Sequence, residues 1–313
     1  MAPSCNGDCV MLFRESVFLI AVLSASPAFS GDLPFGFSTQ VACETVAGRV
    51  GFAEGAAVLD LGGEVSHLHQ SVSASGAKYE TEAGDLVFWI KGDEASLVAD
   101  GAQQTCQLSQ EALGWTSGGN EPGWRIGVTE GRLEALLDYG ETGFDKDLPE
   151  ARLFDGALWY DWPDLALFLR PTLCHDDMTG MPYPESVTLK RGEQVLRGCG
   201  GAPLALLSGS DWRIEDIAGQ GVIDASDVTL TVSPEGQVSG QAGCNRYTGG
   251  VELTGEGLTF GPLASTRMMC PEALMVQEAR YFELLSTVDR FDIDETGALV
   301  LYGLDEAVIT ARR

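Results

Sequence analysis

Ser73-Ala74-Ser75-Gly76-Ala77-Lys78-Tyr79 and, after a short gap, Phe88-Trp89-Ile90-Lys91-Gly92-Asp93-Glu94-Ala95-Ser96-Leu97 are the stretches from which the fold of this chain is read. Ala95-Ser96-Leu97 alternates apolar and polar with the period of a strand, and Lys91-Gly92 divides it from the strand-like run Leu86-Val87-Phe88-Trp89-Ile90. Outward from there, Ala57-Val58-Leu59 repeats the pattern, and Gly-rich turns separate the runs. No helical periodicity interrupts residues 31–108. A small antiparallel sheet or barrel is therefore expected, with Cys43 and Cys106 bracketing both stretches.

The whole chain has 313 residues, 44% hydrophobic and 21% charged, which suits two or three globular domains and argues against wholesale disorder. Its 46 acidic side chains outnumber 19 basic ones, a net charge of −27. Phosphate backbones need clustered Lys and Arg, so nucleic acid is excluded as a partner. A cationic protein is favoured, and its encounter rate rises with that charge. No apolar run reaches the roughly 18 residues needed to span a bilayer.

Residues 1–30 read as a signal peptide. Arg14 precedes the apolar run Val17-Phe18-Leu19-Ile20-Ala21-Val22-Leu23, Pro27 breaks it, and Ala28-Phe29-Ser30 offers small residues for cleavage before Gly31. A periplasmic or secreted location follows, and no cysteine after the run offers a lipid attachment point. Cleavage leaves Cys43, Cys106, Cys174, Cys199, Cys244 and Cys270. Six cysteines allow fifteen pairings. The economical one joins sequence neighbours, one staple per domain, in an oxidising compartment. The mature chain has no C-x-x-C for zinc, and no metal or other cofactor is expected.

Residues 109–205 begin with a Gly-rich turn, Gly118 to Trp124, and continue with strand-like runs such as Ala166-Leu167-Phe168-Leu169 and Val187-Thr188-Leu189. Residues 206–313 read strand, strand, helix, strand. The helix is expected at about 272–288, with Met275, Phe282 and Leu285 on one face and Pro271 at its start. Linkers fall near 108–117 and 202–211. The expected fold is thus mainly β with an α+β C-terminal part: three small disulfide-stapled domains. Nucleophile-elbow, P-loop, zincin and dinucleotide motifs are all missing from the sequence, and an enzyme is not expected.

The S-G-x-K-Y stretch at 75–79 and the W-x-K-G-x-x-A-x-L stretch at 89–97, between Cys43 and Cys106, resemble the membrane-bound and periplasmic inhibitors of c-type lysozyme. The resemblance implies a small β-barrel that plugs the lysozyme cleft with two loops, Ser75 and Lys91 making the key contacts. Gly76 and Gly92 would let the backbone enter a narrow groove. Tyr79 completes the candidate binding set, although it and Trp89 are better placed to pack beneath the loops. The chemistry is sound: a glycosidase cleft holds one protonated and one ionised carboxylate, and an ammonium with a hydroxyl can meet both. Residues 31–108 carry eleven acidic and three basic side chains, a net of −8, and two of the three cations, Lys78 and Lys91, lie in the candidate loops. An acidic body with a cationic tip suits a basic lysozyme. On the residues alone, Lys91-Gly92 also reads as an ordinary hairpin turn.

Gly243-Cys244-Asn245-Arg246-Tyr247, followed by Thr266-Arg267-Met268-Met269-Cys270, resembles the META domain of HslJ-type heat-shock envelope proteins. That resemblance implies an antiparallel sheet with a packed helix and no defined reaction. Asn245, Arg246 and Arg267 are either a site or a turn support and two arginines paired with acidic neighbours. Asn120-Glu121-Pro122 and Cys174-His175-Asp176-Asp177 resemble an uncharacterised periplasmic domain, to which no activity is assigned. Two functions stand: an exported inhibitor of c-type lysozyme acting through Ser75 and Lys91, or a non-enzymatic, stress-related envelope binding protein that ignores lysozyme.

Overall fold

A computed structural model describes residues 39–313 except 54, 63, 110–113, 130, 155–156, 210, 225, 256 and 305. The expected signal peptide lies outside the described residues.

Strands β1 (Thr39–Cys43), β2 (Ala47–Ala53), β3 (Ala56–Leu61), β4 (Glu64–Ser71), β5 (Ala77–Glu80), β6 (Leu86–Lys91), β7 (Glu94–Ala99) and β8 (Ala102–Ser109) form a closed antiparallel barrel. Each pairs with the next, and β1 closes on β8 with Cys43 opposite Cys106. The Cys43–Cys106 disulfide therefore staples the closing seam across 63 residues of sequence. In the chain-entropy account that contributes about 4 kcal/mol, a large share for so small a core. Period-two alternation sends Val41, Val50, Leu59, Leu68, Phe88 and Leu97 inward, all at most 3% exposed.

A nine-stranded antiparallel sheet follows. It comprises β9 (Trp115–Asn120), β10 (Gly123–Thr129), β11 (Arg132–Leu137), β12 (Thr142–Asp147), β13 (Arg152–Phe154), β14 (Ala157–Trp162), β15 (Leu165–Arg170), β18 (Glu185–Arg191) and β19 (Gln194–Gly200). The small hairpin β16 (Cys174–His175) and β17 (Pro182–Tyr183) stands apart, tied to β19 by Cys174–Cys199. The Gly-rich segment expected as a turn is a hairpin whose turn is confined to Glu121-Pro122, between the second half of β9 and the start of β10. Its glycines answer to packing: a Cβ on Gly119 would lie 2.4 Å from the Trp124 indole nitrogen and 2.3 Å from the Arg197 carbonyl oxygen. Trp124 can thus cross the strands and donate to that carbonyl at 3.2 Å.

The last part begins with a one-turn helix α1 (Leu204–Leu207), whose Leu207 is 1% exposed, so the segment expected as a linker carries core. A second nine-stranded sheet contains β20 (Trp212–Ile217), β21 (Thr229–Val232), β22 (Gln237–Gln241), β23 (Arg246–Thr254), β24 (Gly257–Phe260), β25 (Ala264–Ser265), β26 (Arg290–Ile293), β27 (Leu299–Gly303) and β28 (Glu306–Arg312). Helix α2 (Glu272–Leu285) seats Tyr281 and Leu285, both fully buried, while Met275 of the expected face is 40% exposed. Phe282 and Leu285 of the expected face do pack in the core, and Tyr281 joins them although it is polar at its tip: its hydroxyl meets that of Tyr247 at 2.8 Å. The helix stops at 285, short of the expected 288, as Ser286 and Thr287 turn their hydroxyls back to the carbonyls of Glu283 and Leu284.

Neither junction is a bare linker. Ala53 and Val58 on the outside of β2 and β3 close against Leu153 and Leu158, leaving only about 10 Å³ of free space. Met181, from the β16–β17 hairpin, is 6% exposed within the core of the last sheet, and His175 Nε2 lies 2.8 Å from Asp292 Oδ1.

Candidate functional site

The loop before β5 and the β6–β7 turn meet at one end of the barrel. Ala77 pairs with Ile90, so Ser75 and Gly76 run alongside the end of β6. A Cβ on Gly76 would fall 2.0 Å from the Ile90 carbonyl oxygen and 3.0 Å from Lys91 Cγ, and its φ is +71°. Only glycine lets the two loops touch. The Ser73 hydroxyl donates to the Gly76 carbonyl at 2.8 Å and steadies the loop. Across the tip, the Trp89 indole N–H donates to the Ser75 carbonyl at 2.8 Å. The same indole ring lies under the Lys91 ammonium, 3.8 Å from nitrogen to ring centroid. Trp89 therefore holds both loops, a role its half-buried position between them supports.

Ser75, Gly76, Lys91 and Gly92 are all exposed. Gly92 has φ +67° with open space beside it, the glycine-first form of a two-residue hairpin turn. Tyr79 differs from these four. It is 8% exposed, inside the barrel against Phe52 at 5.5 Å between ring centroids, and so supports the tip rather than forming part of it. Burial, with the Glu150 carboxylate second, pushes its phenol above the usual range.

Charge at the tip is narrower than the composition suggested. Lys78 is neutralised by Glu80 at 2.6 Å, and Arg49 pairs with Asp60 at 3.4 Å. Among the described residues of the barrel, Lys91 is the cation with no carboxylate partner. The Ser75 hydroxyl likewise has no intramolecular partner among the described residues. The end of the barrel presents one free ammonium and one free hydroxyl on a rigid mount.

The other singled-out residues behave differently. Cys244 and Cys270 are bridged, and Asn245 beside them is 4% exposed. Its backbone and side-chain N–H groups donate to the two Glu278 carboxylate oxygens at 2.8 and 2.9 Å. Its Oδ1 accepts from the Thr266 hydroxyl at 2.8 Å and the Met268 N–H at 2.7 Å. Asn245 is thus the turn support, tying β23, the 266–268 segment and α2. Asn245→Ala is expected to lower stability by about 2 kcal/mol, because its loss strands several polar groups at once. Urea unfolding should show it, and a midpoint equal to that of the unsubstituted chain would contradict the reading. In the middle segment, Asp176 accepts from the N–H groups of Met178 and Thr179 at 3.0 and 2.8 Å, and so closes its own turn. Cys174 is in a disulfide and His175 faces Asp292, so these side chains do not converge on a ligand site.

One buried group had no signal in the sequence. Glu185 is 8% exposed, and its carboxylate accepts from the Trp115 indole N–H at 2.7 Å. Burial pushes its pKa up to about 7, against the opposing pull of that hydrogen bond and of Arg49 from the barrel.

Comparison with known proteins assigns the two ends of the chain. Residues 43–105 match the family described as membrane-bound lysozyme-inhibitor of c-type lysozyme, and residues 205–313 match the META domain. Neither is a family of enzymes. A solution NMR structure of a protein from Burkholderia xenovorans is similar at 28% identity over 35% of this chain and 84% of that one, with a TM-score of 0.30. None of the curated proteins matches the chain.

Proposed function

We propose that this chain is an exported envelope protein that inhibits c-type lysozyme, the Ser75 hydroxyl and Lys91 ammonium entering the cleft between its two catalytic carboxylates. The observation that carries this reading is the shared mount: one indole, Trp89, bonds the Ser75 loop and stacks under Lys91. Preorganisation of that kind spares the ordering cost of binding. In a water-poor groove each charge-assisted hydrogen bond contributes about 1.5–3 kcal/mol. The lysozyme-inhibitor match over 43–105 supports the partner, and three disulfides support an oxidising, periplasmic or secreted location. Segments 31–108, 109–205 and 206–313 are its proposed domains.

The test is turnover of a c-type lysozyme on cell-wall substrate in the presence of the full exported chain. Inhibition at micromolar protein is expected, weakened about tenfold by Ser75→Ala through loss of one such hydrogen bond. Unchanged hydrolysis by the unsubstituted chain would remove the proposal. The META match favours a second reading, a stress-linked envelope binding protein. It requires that lysozyme be ignored and that any envelope phenotype survive Ser75→Ala.

A further inference from the structure

Over the paired strands β23 and β25 lies an open groove of about 330 Å³, lined by Arg246, Tyr247, Thr248, Ala264, Ser265 and Thr266. Arg246 is exposed, and its guanidinium has no ion pair, hydrogen bond or ring contact among the described residues. The same holds for Arg267, next in sequence after Thr266. Other surface arginines meet acids and are neutralised by them: Arg132 meets Asp145 and Asp147, Arg213 meets Asp227, and Arg312 meets Glu215. The pairing of Arg246 and Arg267 with acidic neighbours, one of the two sequence alternatives, does not occur among the described residues.

The groove is also built rather than incidental. Tyr247 pairs with Ser265 and Thr248 with Ala264, and the Arg246 N–H donates to the Thr266 hydroxyl at 3.2 Å. Asn245 pins the segment from behind, and the Cys244–Cys270 bridge closes it. Thr266 is thereby committed, but the Thr248 hydroxyl has no partner among the described residues. Arg246 and Thr248 project from the same face of β23, so a planar guanidinium beside one free hydroxyl is a donor set for an oxyanion, since the fork of an arginine matches two phosphate oxygens.

We propose that this groove binds a small, soluble phosphate-bearing anion, with Arg246 as the recognising residue. Its volume lies at the low end of small-ligand sites. Ala264, paired with Thr248 on the same face, offers apolar wall for the body of a phosphate ester. An anionic lipid surface is disfavoured as the source, because the net charge of −27 opposes approach to an extended negative plane.

The experiment is a titration of the isotopically labelled exported chain with inorganic phosphate at constant ionic strength, read by amide NMR shifts. Saturable shifts are expected at Arg246, Thr248, Ser265 and Thr266. Arg246→Gln should weaken the apparent affinity at least tenfold while leaving the thermal midpoint unchanged, and Arg213→Gln should leave both unchanged. Three results would overturn the proposal: no saturable shift in the groove, shifts that persist in Arg246→Gln, or binding seen only with phosphatidylglycerol vesicles.

Discussion

The stability of this protein is expected to fall as pH rises from about 4.5 to about 7, and Glu185→Gln is expected to remove most of that fall. Burial raises the Glu185 carboxyl from 4.5 in an ordinary setting to about 7 in the folded chain. Below pH 4.5 both folded and unfolded chains hold the proton, so nothing changes. Between the two values the folded chain keeps a proton that the unfolded chain has lost, and stability declines as pH rises. Above about 7 both are ionised, and the folded chain carries a buried carboxylate with the Trp115 indole and the Arg49 charge as its compensation. The shift corresponds to about 3 kcal/mol lost across the window. Glutamine keeps an oxygen for the Trp115 N–H and never ionises. Tryptophan-fluorescence unfolding at steps from pH 4 to 8 should therefore give a gap between variant and unsubstituted chain that widens through pH 5–7. Parallel curves would show that Glu185 is not the group responsible.

How much of this was legible in the sequence depended on separation along the chain. The barrel was readable because each strand pairs with its neighbour, so period-two runs and Gly turns carry nearly the whole pattern. The mainly β architecture and the two end segments followed from local signals of that kind, including the G-C-N-x-Y motif around Asn245. Glu185 was invisible: its partner Trp115 is 70 residues away, and nothing near it signals burial. Met181 was equally opaque, an apolar residue in a polar hairpin that becomes core only when the last sheet arrives. In the segment 118–124 the turn at Glu121-Pro122 was legible but its extent was not, because glycine serves two ends. Turn chemistry and close packing under an aromatic ring look alike in sequence, and only the position of Trp124 separates them. At the barrel tip, Ser75 and Lys91 were picked out by resemblance and Trp89 was expected beneath the loops, but its bond to the Ser75 carbonyl was not, because its indole N–H reaches back 14 residues.

Lys91→Glu separates insertion of the tip from a general attraction of opposite charges, since the two give effects of opposite sign. If binding rested on the acidic body alone, which has a net of −8 over residues 31–108, replacing a cation by an acid would strengthen attraction to a basic lysozyme. If the Lys91 ammonium instead pairs with an ionised carboxylate in a desolvated cleft, the substitution sets two like charges against each other. Removal of one partner of such a pair costs about 2–5 kcal/mol, and the added repulsion costs more. Inhibition should then weaken by roughly a hundredfold or beyond, taking 1.4 kcal/mol per factor of ten. The barrel itself should tolerate the change: Lys91 is exposed, and among the described residues its ammonium meets the Trp89 ring alone. Unchanged thermal unfolding should accompany the loss. Lys91→Ala should fall between, with inhibition weakened but association still steered by the acidic body, so that most of the loss appears in the dissociation rate. Tighter inhibition by Lys91→Glu than by the unsubstituted chain would transfer the credit from the tip to the body.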